Sequence, residues 1–265
     1  MSADRPDFDI AGRIAVVTGG TSGLGAAIAR GMAASGAVVT AGSRDPDRVR
    51  SASEALRSIE PRSCALRLDV ADPSSVESFF DEVRRRCGRV DILVNAAGIT
   101  HRAPALEMRL DDWDRVLRTN LTGTFLACQA AGRMMAETGG GAIVNIASLA
   151  SFVGLPWVAA YGASKAAVRE LTQTLAVEWA PLGIRVNALA PGVFPTPLNR
   201  PLIEGTPRGE WFRHHTPMGR FGEAAELVGA AIFLASPAAS YITGATLDVD
   251  GGFLACGVPG DPPSV

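Results

Sequence analysis

Short runs of consecutive apolar residues alternate along this chain with longer stretches in which apolar positions recur every three or four residues. The short runs Ile14–Thr18, Ala37–Ala41, Cys64–Leu68, Ile92–Asn95, Ala142–Ile146, Arg185–Leu189 and Thr246–Val249 predict strands. The longer stretches predict helices over 23–35, 46–59, 73–87, 111–137, 157–180 and 224–235. Strands that are apolar at successive positions are covered on both faces, and strand–helix alternation makes their sheet parallel. The pattern therefore predicts an α/β fold. It is a single doubly wound (Rossmann) domain over residues 1–265, with a parallel sheet of about seven strands and helices on both faces. Ligands are expected over the C-terminal ends of the strands. Residues 194–222 break the alternation and read as a long substrate-loop insertion above the sheet; 259–265 read as a short C-terminal tail.

Composition narrows the class. The chain has 265 residues, 47% of them hydrophobic, and a net charge of −2, which fits a globular domain with a well-buried core and no nucleic-acid surface. The run Arg84–Arg86 is short and reads as the solvated end of a helix. The four cysteines show no close pairing, so reduced thiols and a cytoplasmic location are the expectation, with no metal site. Met1 to Ile10 carries charges and prolines without an apolar stretch, so secretion is not expected. Thr138 to Ser164 holds no charged residue, yet Asn145, Ser148, Ser151, Pro156 and its glycines would be costly in hydrocarbon. That segment reads as a strand, a loop and a helix start rather than a membrane span.

Three local patterns carry chemistry. Strand Ile14–Thr18 runs into Gly19-Gly20-Thr21-Ser22-Gly23-Leu24-Gly25 and then a helix with Leu24, Ile28 and Met32 on one face. Glycines there permit a tight turn, close approach of a pyrophosphate, and a helix N-terminus aimed at its charge. At the end of the second strand stands Gly42-Ser43-Arg44-Asp45. Ser43 and Arg44 suit a ribose 2′-phosphate, favouring NADP(H), while Asp45 lies close enough to compete and keeps NAD(H) open. Finally, lysine occurs once, at Lys165, four residues after Tyr161, one of two tyrosines; the rest of the 25 lysine and arginine side chains are arginine. Spacing of four puts the two on one helix face. An ammonium can favour a phenolate and still donate to ribose hydroxyls, which a planar guanidinium would not fit. Ser148 ends a strand thirteen residues before Tyr161, and Asn120 falls on the buried stripe of its helix marked by Trp113, Val116, Leu117 and Thr124. A buried amide must be hydrogen-bonded, structurally or through water, and Gly123 would let the helix deform to admit one.

Together these residues resemble the short-chain dehydrogenase/reductase family over nearly the whole chain. The matching text is Thr18-Gly19-x3-Gly23-x-Gly25, Asp69-Val70, Asn95-Ala96-Ala97-Gly98, Asn120, Ser148, Tyr161-x3-Lys165 and Pro191-Gly192. The resemblance implies a catalytic tetrad in which Tyr161 is the general acid/base, Ser148 polarises the carbonyl, Asn120 holds a relay water and Lys165 serves phenol and ribose. It implies that Asp69 and Val70 bind adenine, that Asn95 steadies the central strands, and that Val193 and Thr196 hold the nicotinamide carboxamide. It also implies a homotetramer or homodimer, which the small residues Ala159, Ala160, Ala163, Ala166 and Ala167 would permit.

Substrate-facing positions are expected from Thr100–Pro104, Leu149–Trp157 and the segment after Pro191, with Arg102, Leu149, Val153 and Trp157 as candidates. Arg200, Arg208, Arg213, His214 and His215 add positive charge, the histidines reading as solvated loop residues. The text around Gly98–Pro104 and Thr216–Gly222 resembles gluconate 5-dehydrogenases, and overlaps with 3-oxoacyl carrier-protein reductases and other small-ketone reductases. A sugar acid such as gluconate or ketogluconate is the expected small-molecule substrate; an arginine would meet its carboxylate. A catalytically silent nucleotide-binding regulator is the competing class, and it predicts a broken tetrad.

Overall fold

The computed structural model describes residues 7–197 and 199–257; the tail at 259–265 lies outside the described residues. Seven strands appear: β1 (Ile14–Thr18), β2 (Val38–Ser43), β3 (Cys64–Arg67), β4 (Ile92–Asn95), β5 (Gly141–Ile146), β6 (Ile184–Pro191) and β7 (Thr246–Val249). They form one sheet in the order β3-β2-β1-β4-β5-β6-β7, and all six pairings are parallel. The order reverses between β1 and β4, where loops at the strand ends diverge and leave a crevice.

Alternate side chains on each strand serve opposite faces. Ala15, Val17, Ile92, Val94, Val144 and Ile146 pack beneath α1 (Gly23–Ala34), α2 (Pro46–Arg57) and a C-terminal helix that spans Glu226–Ala235. Val16, Leu93, Ile143 and Val186 face α3 (Pro73–Cys87), with Phe79 and Phe80, and two further helices over 123–137 and 159–179. Both faces of every central strand are thus dry, which is why the strands read as unbroken apolar runs.

One polar chain crosses this core. Asn95 Nδ2 donates to Asn145 Oδ1 at 2.9 Å and to Cys128 Sγ at 3.1 Å, and Asn145 Nδ2 donates to Thr172 Oγ1 at 2.9 Å. Thr18 Oγ1 reaches Asn95 Oδ1 at 3.4 Å. The chain ties the ends of β1, β4 and β5 to the helix over 159–179 just below the crevice.

Three expectations are revised. The helix read over 111–137 is α4 (Leu110–Leu117), a π-turn over Arg118–Thr122, and α5 (Gly123–Glu137). β2 and β6 run past their last apolar run, because ladder pairing continues through Ser43–Arg67 and Pro191–Val249. Following α6 (Ala159–Trp179), the insertion is partly helical, with α7 (Arg200–Ile203) and α8 (Pro207–His215) before α9 (Glu226–Ala235). Thr206 caps α8 by accepting the Gly209 amide at 3.1 Å, and Pro207 occupies its first position.

Removing one member of the polar chain strands its partners in a dry core. Asn145→Ala is expected to destabilise the protein by about 2–4 kcal/mol. Asn95→Ala should cost a similar amount, with the double variant losing clearly less than the sum, as read by denaturant unfolding at fixed protein concentration. Additive losses would show that the two amides do not act as a unit.

Candidate active site

The crevice holds a cavity of about 430 Å³. Its floor is the turn after β1. A Cβ on Gly19, whose φ is +67°, would lie 2.7 Å from the Ala97 backbone, and one on Gly25 would lie 2.4 Å from the Gly19 carbonyl oxygen. Only glycine lets this turn close so tightly that the first amides of α1 face the cavity. Gly19, Ser22, Gly23, Leu24 and Gly25 line it together with Ser43, Arg44, Val70, Ala96, Gly98, Thr196, Tyr161 and Lys165. The space and its glycine cradle fit a nicotinamide dinucleotide.

Other predicted cofactor residues lie elsewhere. Thr21 borders a neighbouring depression with Arg30 and Arg48. Asp69 is half-buried, its carboxylate accepting the Ala71 amide at 3.0 Å, between the lining residues Leu68 and Val70. Asn95 sits below the cavity in the polar chain. Pro191 is buried at the end of β6, and Gly192 packs on Asp250, where a Cβ would lie 2.7 Å from that residue's Cα. Val193 faces a separate hollow with Phe194, Thr216 and Asp250. Arg48, Ile99 and Pro197, by contrast, line the cavity without having been singled out in the sequence.

Asp45 is not among the residues that line the cavity. It is the N-cap of α2, its Oδ1 accepting the amides of Asp47 and Arg48 at 3.0 and 3.2 Å, while Oδ2 lies 3.2 Å from Arg48 Nε. The carboxylate is spent on the helix start, which leaves Ser43, Arg44 and Arg48 to define that end of the cavity.

The helix bearing Tyr161 and Lys165 is held at its start by buried hydroxyls. Ser151 Oγ donates to the Lys165 carbonyl at 2.8 Å, and Ser164 Oγ donates to the Tyr161 carbonyl at 2.7 Å. Asn120 is wholly buried in the π-turn. Its Oδ1 accepts the Ile99 amide at 2.8 Å, and its Nδ2 donates to the Ile99 carbonyl at 2.9 Å and to Ser164 Oγ at 3.0 Å. Both side-chain donors are therefore committed to joining the loop after β4 to α6. Of its side chain, only a lone pair on Oδ1 remains for a water.

Lys165 is 5% exposed, and its Nζ donates to the Ile146 carbonyl at 2.5 Å. Burial pulls its pKa from 10.5 down to about 8. The ammonium lies 5.9 Å from the Tyr161 ring centroid. Lowering of the phenol's pKa by Lys165 is not what the structure shows. Burial pushes Tyr161 up, and the opposing influence is a hydrogen bond with Ser148, whose Oγ also accepts the Ala150 amide at 3.1 Å. The ammonium is turned toward the strand end, where one carbonyl is its hydrogen-bond partner.

At the mouth, the Arg102 guanidinium lies 4.8 Å from the Trp157 ring centroid. Trp157 and Val153 are exposed; Leu149 is buried beneath them. Arg200, Arg213 and Arg220 pair with Glu204, Glu210 and Glu226. His214 and His215 end α8 rather than standing in a loop, and His215 stacks on Trp211 at 3.9 Å between centroids.

Known proteins share this arrangement. A family model described as Enoyl-(Acyl carrier protein) reductase matches residues 19–254. D-threitol dehydrogenase of Mycolicibacterium smegmatis is 45% identical over 93% of this chain and 95% of its own. A crystal structure of a gluconate 5-dehydrogenase from Burkholderia cenocepacia, in complex with NADP and tartrate, superposes with a TM-score of 0.91 at 41% identity, covering 94% of this chain and 98% of that one. A short-chain type dehydrogenase/reductase from Mycobacterium marinum gives a TM-score of 0.86 at 38% identity, over 93% and 97% of the two chains. With a glycine cradle, a Ser-Tyr-Lys cluster at the strand ends and likeness of this extent, the chain belongs to the short-chain dehydrogenase/reductase family and is an oxidoreductase of CH–OH groups.

Proposed function

We propose that this enzyme interconverts a secondary alcohol and a ketone on a sugar acid of the gluconate/ketogluconate type, with NADP(H) as the preferred cofactor. The observation that carries the reading is the single cavity that Tyr161 and Lys165 line together with the glycine turn after β1. When bound, the dinucleotide supplies or accepts hydride. The chain holds and moves the proton. Burial keeps the Tyr161 hydroxyl protonated, ready to donate to a ketone oxygen that Ser148 orients. In the alcohol direction the phenol first gives its own proton to solvent; the phenolate Oη then takes the hydroxyl proton, and the Lys165 ammonium offsets part of the phenolate charge.

The first turn of α1, with Ser22 to Gly25, would hold the pyrophosphate, and Thr196 and Lys165 the nicotinamide half. Ser43, Arg44 and Arg48 would surround a 2′-phosphate, the carboxylate of Asp45 being engaged by α2. NADP in the gluconate dehydrogenase structure supports that preference, and tartrate there supports an acidic substrate. We place the enzyme in the cytoplasm as a homotetramer or homodimer. The four cysteines are free thiols, and α6 presents Ala159, Ala163 and Ala166 at its surface, where a second copy could pack closely.

Three outcomes test this function. Tyr161→Phe should lower kcat by at least about a thousandfold while leaving NADP(H) binding within a few-fold; retained turnover would remove Tyr161 as acid/base. Arg44→Leu should raise KM for NADP(H) by about tenfold or more and leave KM for NAD(H) nearly unchanged. Lys165→Met should abolish turnover yet stabilise the protein unfolded without added nucleotide. The depressed lysine pKa costs about 3 kcal/mol, at 1.36 kcal/mol per pKa unit, wherever the pH is below the folded value of about 8. Loss of the bond to Ile146 returns about 1 kcal/mol, for a net gain of about 2 kcal/mol at pH 7. That gain should fade as the pH rises from 8 toward 10.5; a variant less stable than the parent at pH 7 would contradict it.

A further inference from the structure

Two arginines stand without an acid, Arg102 three residues beyond the cavity-lining Ile99 and Arg208 on α8. Arg102 and Arg208 form no ion pair with a carboxylate among the described residues, whereas Arg200, Arg213 and Arg220 in the same region each have one. Both are half-buried. Each guanidinium lies over an aromatic ring, Arg102 on Trp157 at 4.8 Å and Arg208 on Phe212 at 5.3 Å, a contact that uses the face of the cation and none of its N–H donors. Arg102 Nε is buried with no hydrogen-bond partner.

The backbone holds this arrangement at some cost. Arg102 sits on a bridge clipped at one end by Asn120 to Ile99 and at the other by the Ala103 amide, which donates to the Trp157 carbonyl at 3.0 Å. Trp157 has φ of +68°, the one non-glycine residue with positive φ among those described. Strain of this kind is kept where it sets a side chain, and here it sets the indole beneath Arg102. Arg208 occupies the first turn of α8, where the helix dipole disfavours a cation. Glu210, two residues on in the same turn, is taken by Arg213. Burial and then the nearby charge of Arg102 both weaken the hold of Arg208 on its proton. Two like charges, part-buried and unpaired, are arranged to be answered by an anion from outside.

We infer that Arg208 is a specificity-determining residue, the second arm of a carboxylate subsite shared with Arg102, through which α8 selects a sugar acid over a neutral polyol of the same length. The inference rests on the sugar-acid reading above and adds the residue that enforces it. A guanidinium pair can donate to both carboxylate oxygens, while a terminal CH₂OH would leave two part-buried cations unanswered.

The test compares Arg208→Gln, Arg102→Gln and Arg208→Lys with the parent, using 5-ketogluconate and a neutral six-carbon ketose. Arg208→Gln should lower kcat/KM for the acid by 10- to 100-fold, mainly through KM, and change the neutral substrate and the KM for NADP(H) by less than about threefold. Arg208→Lys should recover part of the loss. Equal loss on acid and neutral substrates, an unchanged profile on both, or a loss residing in NADP(H) binding would each overturn the inference. If the parent turns over only neutral substrates, the sugar-acid reading fails by itself. The subsite is then read by tartrate and gluconate as inhibitors of the neutral reaction. Competitive inhibition that Arg208→Gln weakens tenfold would uphold the clamp, and no inhibition of the parent would remove it.

Discussion

An ammonium buried at the end of a parallel sheet, answered by one strand carbonyl and, among the described residues, by no carboxylate, is the constraint around which this site is built. Left to itself, such a group would draw in water or lose its proton, and its pKa of about 8 records how far burial has pushed it that way. The protein holds it nonetheless by fixing the helix that bears it. Ser151 and Ser164 take the carbonyls of Lys165 and Tyr161, and Asn120 grips Ser164 from the π-turn. Those bonds join three separate segments at one point. The phenol beside the ammonium is consequently placed by backbone restraint rather than by direct attraction to the charge.

Much of this was legible because it follows from periodicity and rarity. β1, β4 and β7 appear at the bounds read from their apolar runs, and α3 spans the whole of its predicted stretch. The lone lysine and its tyrosine meet at the cavity as the spacing of four requires. What escaped has physical reasons. A π-turn alters the hydrogen-bond step of a helix without altering the apolar stripe enough to show, so Arg118–Thr122 looked like ordinary helix. Ser151 and Ser164 are small polar residues in an uncharged stretch, and nothing local separates a serine that pins a carbonyl from one that faces solvent. In α8 the signal was present, since Thr206-Pro207 is a helix start, but nine residues with a mixed polar face carry too few turns for periodicity to speak.

The polar chain beneath the crevice explains how a dry sheet can tolerate amides at its centre. Asn95 and Asn145 face each other on adjacent strands at paired register, so each satisfies part of the other where no water reaches. An apolar pair there would pack as well but would leave the strand ends free to slide against α6. The amide pair links β4, which leads to Gly98 and the substrate loop, with β5, which leads to Ser148. Register at the bottom of the site is in this way transmitted to the distance between its reacting groups.

Cofactor choice shows the same economy of placement, and it turns on a helix start rather than on a contact list. Read as text, Ser43-Arg44-Asp45 offers both a cation for a 2′-phosphate and an acid for a 2′-hydroxyl. Physically the two are not equivalent, because Pro46 begins α2 and the residue before it must cap the first amides. Asp45 does so with one oxygen and meets Arg48 with the other, so its charge is neutralised locally. This end of the cavity is lined by Arg44 and Arg48, and the carboxylate of Asp45 is engaged at the helix start.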